Sequence, residues 1–319
     1  MLKKIFVILL VVLLLASILV SVGFGQETDK KRQDEKVRTM TIPISIFTKK
    51  EQKENRAEEF VQAGDLRVAE NGDDQVILSI RSVTNTPLAL AVLIQDDLSS
   101  DTNLKLDEIR KFIRALPSGS RVMVAYLRAG TIQVRQKFTE DLEKAAKSLR
   151  IIAGSAAAPG SPYQGIEEAL KRFDALPAGR RAVLLVSDGL DISRGIESSS
   201  PPQSLDLDRA ILRAQRKGVA VYSFYSPASA TVGGNSILIL NGQGSLERIS
   251  DETGGRAFFQ GSIAPISFEP FFDDLNLALN RQFALTYLST HMKKGYHKLK
   301  VSSTNPEVEI EHPRGYYYR

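Results

Sequence analysis

Three short stretches of this sequence carry side-chain oxygens of the kind that hold a hard cation. They are Gln95-Asp96-Asp97-Leu98-Ser99-Ser100-Asp101, Gly160-Ser161 and Ser187-Asp188-Gly189. Carboxylates and hydroxyls converging from separate loops make an all-oxygen shell suited to Mg²⁺, with positions left for water or a ligand carboxylate. Each stretch also has a plainer reading. The Asp and Ser residues of 96–101 suit the cap of a following helix. Ser161-Pro162 is a sound helix start, with proline at the first helical position, and Asp188-Gly189 suits a turn. Their case is joint, and it depends on the fold bringing them to one edge.

Other chemistries have little to work with. There are no cysteines, which excludes disulfides, thiolate metal sites and cysteine nucleophiles. The only histidines, His291, His297 and His312, lie in the last thirty residues. His291 and His297 sit among lysines and read as surface residues near the terminal strands. No serine stands in a nucleophile-elbow pattern, so an enzyme is not expected. Gly242-Gln243-Gly244 lacks the third glycine and the preceding strand that a phosphate-cradling loop needs.

The elements that must position the three stretches follow from apolar patterning. From Pro87 onward, strands alternate with helices, the signature of a sheet with crossover helices. Leu88–Ile94 and Arg181–Val186 are continuous apolar runs, as expected of strands covered on both faces. Arg121–Leu127 and Thr131–Phe138 are read as two further strands, across an Ala-Gly turn, and Val219–Phe224 as another. Leu106, Ile109, Ile113 and Leu116 recur at helical spacing, as do Ile166, Ala169, Leu170 and Phe173. Further helices are expected at 206–217, 245–253 and 271–283, with a long loop over 227–244. The two Asp-bearing stretches directly follow apolar strands. In open parallel sheets, ligands bind outside such carboxyl ends, beside the topological switch point.

Upstream, residues 1–25 join Lys3 and Lys4 to an apolar run from Ile5 to Val22, the pattern of an export signal. The run is also about as long as a membrane span needs, so a cleaved signal peptide and an N-terminal anchor both stay open. Residues 26–38 read as a charged linker. Residues 39–84 form a small β-module. Its first strand holds Pro43, which points to an edge or a bulge, and the module is too small to fold unaided. Residues 85–285 form the α/β domain, and 286–319 return to strands that pack on the β-module. Apolar content of 43% and charged content of 25% are ordinary for a globular protein. The net charge of +5 is spread along the chain, so nucleic acid is not an expected partner.

The strand-then-Asp loop at 88–101, the stretch Leu184-Leu185-Val186-Ser187-Asp188-Gly189 and the closing Gly315-Tyr316-Tyr317 resemble von Willebrand factor A (VWA) domain proteins. The nearest likeness is to VWA-related exported proteins common in Acidobacteria, and it covers roughly 39–319. Asp65-Leu66-Arg67-Val68 through Glu70-Asn71-Gly72 is similar to that subgroup's N-terminal β-module. The resemblance implies a Rossmann-like α/β domain with a mostly parallel central sheet flanked by helices. It also implies a metal ion-dependent adhesion site of pattern Asp-x-Ser-x-Ser, with a Thr from a second loop and an Asp from a third.

Carried onto this sequence, Asp96 matches the first Asp and Ser100 the last Ser, while Leu98 stands where the first Ser belongs. A shift of one residue gives Asp97, Ser99 and Asp101, with Asp101 in place of the last Ser. Ser161 stands for the Thr and Asp188 for the third-loop Asp. A missing hydroxyl removes one of about six positions around Mg²⁺, so a bound Mg²⁺ and a metal-free loop are both open. The implied function is a non-enzymatic, exported binding module that engages a protein ligand through an acidic side chain. The alternative is a metal-free structural or assembly protein of the cell envelope. Its location would be periplasmic, secreted or anchored in the inner membrane, with membrane contact only through the N-terminal segment.

Overall fold

Strands buried on both faces read as unbroken apolar runs, and such runs make the middle of this protein. The computed structural model describes residues 37–48, 65–84, 86–152, 154, 160–177, 179–228, 235–261 and 263–318. The expected leader and most of the linker lie outside the described residues. The strands are β1 (Arg38–Thr48), β2 (Leu66–Glu70), β3 (Asp73–Ser82), β4 (Leu88–Gln95), β5 (Arg121–Arg128), β6 (Thr131–Thr139) and β7 (Arg180–Ser187). They continue with β8 (Ala220–Tyr225), β9 (Ala257–Phe258), β10 (Gln282–Ser289), β11 (Gly295–Ser303), β12 (Val308–Glu311) and β13 (Gly315–Tyr318). The helices are α1 (Leu106–Arg114), α2 (Leu142–Lys147), α3 (Pro162–Lys171), α4 (Leu205–Lys217), α5 (Ser236–Thr253) and α6 (Glu269–Asn280). Among the described residues, no helix is long and apolar enough to cross a membrane.

Two sheets result. The first has the order β6-β5-β4-β7-β8-β9, parallel throughout except for β6, which returns antiparallel along β5. Counted from β4, this is the 3-2-1-4-5-6 order of doubly wound sheets, which reverses direction between the first and fourth strands. Here that point lies between β4 and β7. Side chains alternate along each strand, and the alternation divides the core. Leu90, Val92, Ile94, Leu184 and Val186 face a layer built with α1, α2 and α6. Ala91, Leu93, Val183 and Leu185 face the opposite layer, with α3, α4 and α5. Burying each large aliphatic side chain contributes about 1.5–3 kcal/mol, so both layers pin the strand register that aims the loops.

The second sheet is antiparallel, in the order β12-β1-β10-β3-β2-β11-β13. It curls until its two sides meet: the Arg38 guanidinium of β1 lies 3.6 Å from the Tyr318 ring centroid of β13. Inside the curl, Ile42, Ile44, Leu66, Val68, Leu285, Leu299 and Val301 form a third core. Strand β10, which straddles residue 285, inserts between β1 and β3.

Three expectations change. The strand holding Pro43 is interior to its sheet, but β12 covers only Ser45–Thr48 of it. At Pro43 one side stays open, so the missing N–H costs no ladder bond. Helix α5 opens at Ser236, within the stretch expected to be a loop, and runs through Gly242 and Gly244. Helix α6 ends at Asn280, and Phe283 belongs to β10.

Candidate functional site

The carboxyl ends of β4 and β7 leave the sheet side by side, and backbone bonds tie them to β5 and to the segment that follows β8. Asp96 N–H donates to Leu127 O (2.8 Å), Ser99 N–H to Pro227 O (2.9 Å) and Ser226 N–H to Ser187 O (3.1 Å). Leu98, wholly buried, bridges to Ala228. Gln95, at the end of β4, joins the two Asp-bearing stretches. Its Oε1 accepts from Ser187 Oγ–H (2.5 Å) and from Asp188 N–H (3.2 Å). The third stretch is joined through Tyr163 on α3, whose hydroxyl donates to Gly189 O (2.7 Å). A Cβ at Gly160 would lie 2.7 Å from Ala129 backbone atoms, so glycine there lets α3 begin against the β5–β6 turn.

Adjacent acidic residues of the first stretch meet opposite fates. Asp96 is buried and held by Arg150, with Nη1–H to Oδ1 at 2.7 Å and Nη2–H to Oδ2 at 2.9 Å. Arg128 adds a contact at 3.4 Å. Arg150 itself lies over the Tyr126 ring, 4.1 Å from its centroid. Such a bidentate pair already supplies the cation that this carboxylate needs. Asp97, half-buried, makes no ion pair among the described residues. Leu98 fills with hydrocarbon the place where the Asp96 register wants a hydroxyl.

The serines differ in the same way. Ser99 stands at the cap position of the turn 100–105 and Ser161 at the cap of α3, yet neither side chain makes a cap hydrogen bond. Both hydroxyl oxygens are buried without a hydrogen-bond partner, an arrangement that costs about 1–3 kcal/mol per group. The capping reading therefore does not explain them. Ser100 and Asp101 are exposed, and Asp101 O accepts from the buried Lys105 Nζ (2.8 Å). Burial holds the Lys105 amine below its ordinary value.

Asp188 is 5% exposed. Its Oδ1 accepts from Leu190 N–H (3.0 Å), closing a local turn. Burial, aided by the charge of Asp97, pushes its carboxyl up to about 7. No cation of the chain makes an ion pair with it among the described residues. Close packing fixes its backbone: a Cβ at Gly242 would lie 2.1 Å from Asp188 O, and one at Gly189 would lie 2.3 Å from Gly242 O. The glycine in the middle of α5 is thus what lets the helix support the loop. Asp191, three residues further on, is engaged internally by Ser193 (2.7 Å) and Ser204 (2.5 Å).

Among the described residues, no three His, Cys, Asp or Glu side chains gather as a metal-binding group. The oxygens at the switch point are of a different composition: carboxylates Asp97 and Asp188, with hydroxyls Ser99 and Ser161. That donor set fits Mg²⁺, which takes few carboxylates and keeps waters. The register that begins at Asp96 does not fit, because Arg150 occupies its first carboxylate. Gln95 stands in the first stretch with no role expected of it, and nothing in the local sequence points to Tyr163 or Arg150. The expected surface histidine His297 is in fact buried, with its Nδ1 2.8 Å from Glu70 Oε1 and its Nε2 2.6 Å from Lys293 O.

No family model matches the sequence, and comparison with curated proteins finds no match. Among solved structures, the chain is similar to the conserved hypothetical protein BatB from Bacteroides thetaiotaomicron. The identity is 14% and the TM-score 0.43, over 60% of this chain and 97% of that one. It is also similar to a von Willebrand factor type A protein from Catenulispora acidiphila, with 9% identity, TM-score 0.43 and coverage of 82% and 76%. A third is an aerotolerance-related membrane protein from Bacteroides fragilis, with 14% identity, TM-score 0.41 and coverage of 60% and 98%. Overlaps this loose say nothing of what this chain binds.

Proposed function

We propose that this chain is an exported, VWA-like, non-enzymatic binding module that engages a protein partner at its sheet switch point. Asp97, Ser99, Ser161 and Asp188 would hold Mg²⁺ there, with waters completing the shell. The bound ion would supply a point of attachment for an acidic side chain of the partner. The observation that carries this reading is the contrast within one loop system. Asp96 has its own guanidinium, while Asp188 is buried with no ion pair among the described residues, and Ser99 and Ser161 on the other two loops have buried hydroxyls without partners. Export rests on the leader-like residues 1–25.

Mass action gives the test. A ligand that binds only the folded state raises stability by about 2.7 kcal/mol at a hundred times its Kd. Melting with Mg²⁺ or Mn²⁺ against EDTA should therefore show a metal-dependent rise that Asp188→Ala abolishes. The metal-free assembly reading is favoured by exposed Asp101 at the place of the last hydroxyl. Melting curves that ignore the metal would select it.

A further inference from the structure

The α/β domain carries its exposed apolar side chains at one end. Among the described residues, every large apolar side chain that the domain leaves exposed lies on a connection or helix start at the carboxyl edge of the parallel sheet, and none at the opposite edge. Contacts between those connections join them into a rim around the candidate site. Asn103 and Ile152 exchange hydrogen bonds (2.7 and 3.4 Å), which sets Leu104 beside Ile151. Lys105 Nζ lies 6.0 Å from the Phe268 ring centroid, bringing the loop of Ile266 to the turn of Leu104. Gln243 Nε2–H donates to Gly261 O in that same loop (2.6 Å), and Asn241 Nδ2–H to Ser199 Oγ (2.9 Å). Ile237 and Leu240 of α5 thereby stand between the loop and Ile196. Exposure reaches 91% at Ile266 and 78% at Leu104, and an apolar band of this kind marks a docking face. Its centre is acidic, with Asp97, Asp101 and Asp188, which disfavours an anionic lipid surface as the occupant.

The remaining exposed large apolar side chains belong to the antiparallel sheet and its connections. That sheet abuts the opposite edge, where the parallel strands begin: Arg180, the first residue of β7, donates to Gln282 Oε1 of β10 (2.7 Å). On β3, Val76 is 64% exposed and Leu78 50%. Asp74 precedes Val76 by two residues, so both project from the outward face of the strand. A bulge opposite Thr286 and Tyr287 leaves Leu78 exposed alongside them. Asp74 is itself exposed and makes no ion pair among the described residues.

We propose that copies of this chain associate head to tail, the β3 stripe of one copy seating on the switch-point edge of the next. The Asp74 carboxylate of the first copy completes the Mg²⁺ shell of the second, and Val76 and Leu78 cover its apolar rim. The inference rests on the Mg²⁺ reading of that edge. One surface surrounds a cation site that lacks its acidic ligand, and the other offers an unpaired carboxylate beside exposed hydrocarbon, so the two match in charge and in polarity. A contact between unlike surfaces leaves one of each free at the ends, and it repeats as a ring or a filament.

The chain has no cysteines, so single-cysteine variants of the full chain can be joined by a flexible bismaleimide only where they meet. A mixture of Val76→Cys and Leu240→Cys in Mg²⁺ should give crosslinked dimer at least tenfold above either variant alone. EDTA, or Asp74→Asn added to the Val76→Cys chain, should cut that yield tenfold or more. All three positions are exposed, so these changes spare the fold. Equal yields from like and unlike pairs, or indifference to EDTA and to Asp74→Asn, would overturn the proposal. Melting curves in dilute protein keep the two readings apart. A Mg²⁺-dependent rise that Asp74→Asn retains, together with no crosslink, sinks the head-to-tail contact alone. No rise in any variant removes the Mg²⁺ site and this contact with it.

Discussion

Asp188 and Glu70 are both carboxylates sealed inside the protein, and what surrounds them differs. Glu70, wholly buried in the curled sheet, gathers its partners on one oxygen. Its Oε1 accepts from Tyr316 O–H (2.6 Å), lies 2.8 Å from His297 Nδ1 and 3.7 Å from Arg38 Nη2. His297 stacks on Tyr316 at 5.1 Å, and Arg38 covers Tyr318. Asp188 has neutral donors and a second carboxylate instead. A buried charge needs a partner. Where the chain supplies the cation, the result is a closed structural cluster. Where it does not, the native state must keep a proton or take a cation from outside.

The largest effect expected is at the closed cluster. Glu70→Ala strips Arg38 of its counter-charge and Tyr316 of its acceptor, and breaking a buried pair from one side costs about 3–5 kcal/mol. Urea unfolding should show this loss regardless of Mg²⁺. A loss below about 1 kcal/mol would mean that the cluster is not the stabilising partner in the comparison.

The second effect concerns pH. The folded value of Asp188, near 7, exceeds its unfolded value of 3.8. Between those values the native state holds a proton that the unfolded state has released. Stability should therefore fall as pH rises through that window, by at most about 1.4 kcal/mol per pH unit. His312, held below its ordinary value by burial, tilts stability the other way below about pH 6.5. The quantity to measure is thus the difference between the native protein and Asp188→Asn. Saturating Mg²⁺ should flatten the native slope, since the ion replaces the proton. A slope that persists in Mg²⁺ would break the contrast.

Gly242→Val comes next. It drives a side chain into Asp188 O, and overpacking of this kind costs about 1–3 kcal/mol. It should also blunt any metal-dependent rise in melting temperature, whereas a similar loss at Gly255, which packs on Val221 O, should leave that rise intact. The smallest effect belongs to Ser161→Ala. Removing a buried hydroxyl that has no partner should change metal-free stability by less than about 1 kcal/mol, or improve it, while weakening the response to Mg²⁺.

The doubly wound sheet is the most legible part of the chain. β4, β7 and β8 are covered on both faces, so their apolar runs needed no tertiary knowledge to recognise. Helix α5 was hidden because Gly242 and Gly244 argue locally against a helix. Gly242 is there for the approach of Asp188 O, and Gly244 lies against Pro201; no window of neighbouring residues reveals either contact. His297 was misplaced although its strand announces itself: Lys298, Lys300 and the exposed Tyr296 alternate with buried Leu299 and Val301. Extending that period back by one step turns His297 inward. The lysines beside it form the other, exposed face of the strand. At the candidate site, the residue types and loops were legible, and the register was not. Choosing Asp97 over Asp96 required Arg150, which lies 54 positions from Asp96 with no local pattern to link them.

The interleaving of β10 between β1 and β3 sets a timetable. Arg38 pairs with Ser289, 289 − 38 = 251 positions later. Chains emerge from the ribosome at about 5–20 residues per second, so β1 waits on the order of tens of seconds for its neighbour. Pairings this remote are slow to close even in a complete chain. The doubly wound sheet, whose strands all lie between those two, is free to assemble first and to bring the ends together. Loss of the final strands would therefore strand the first ones, leaving unpaired edges exposed to aggregation.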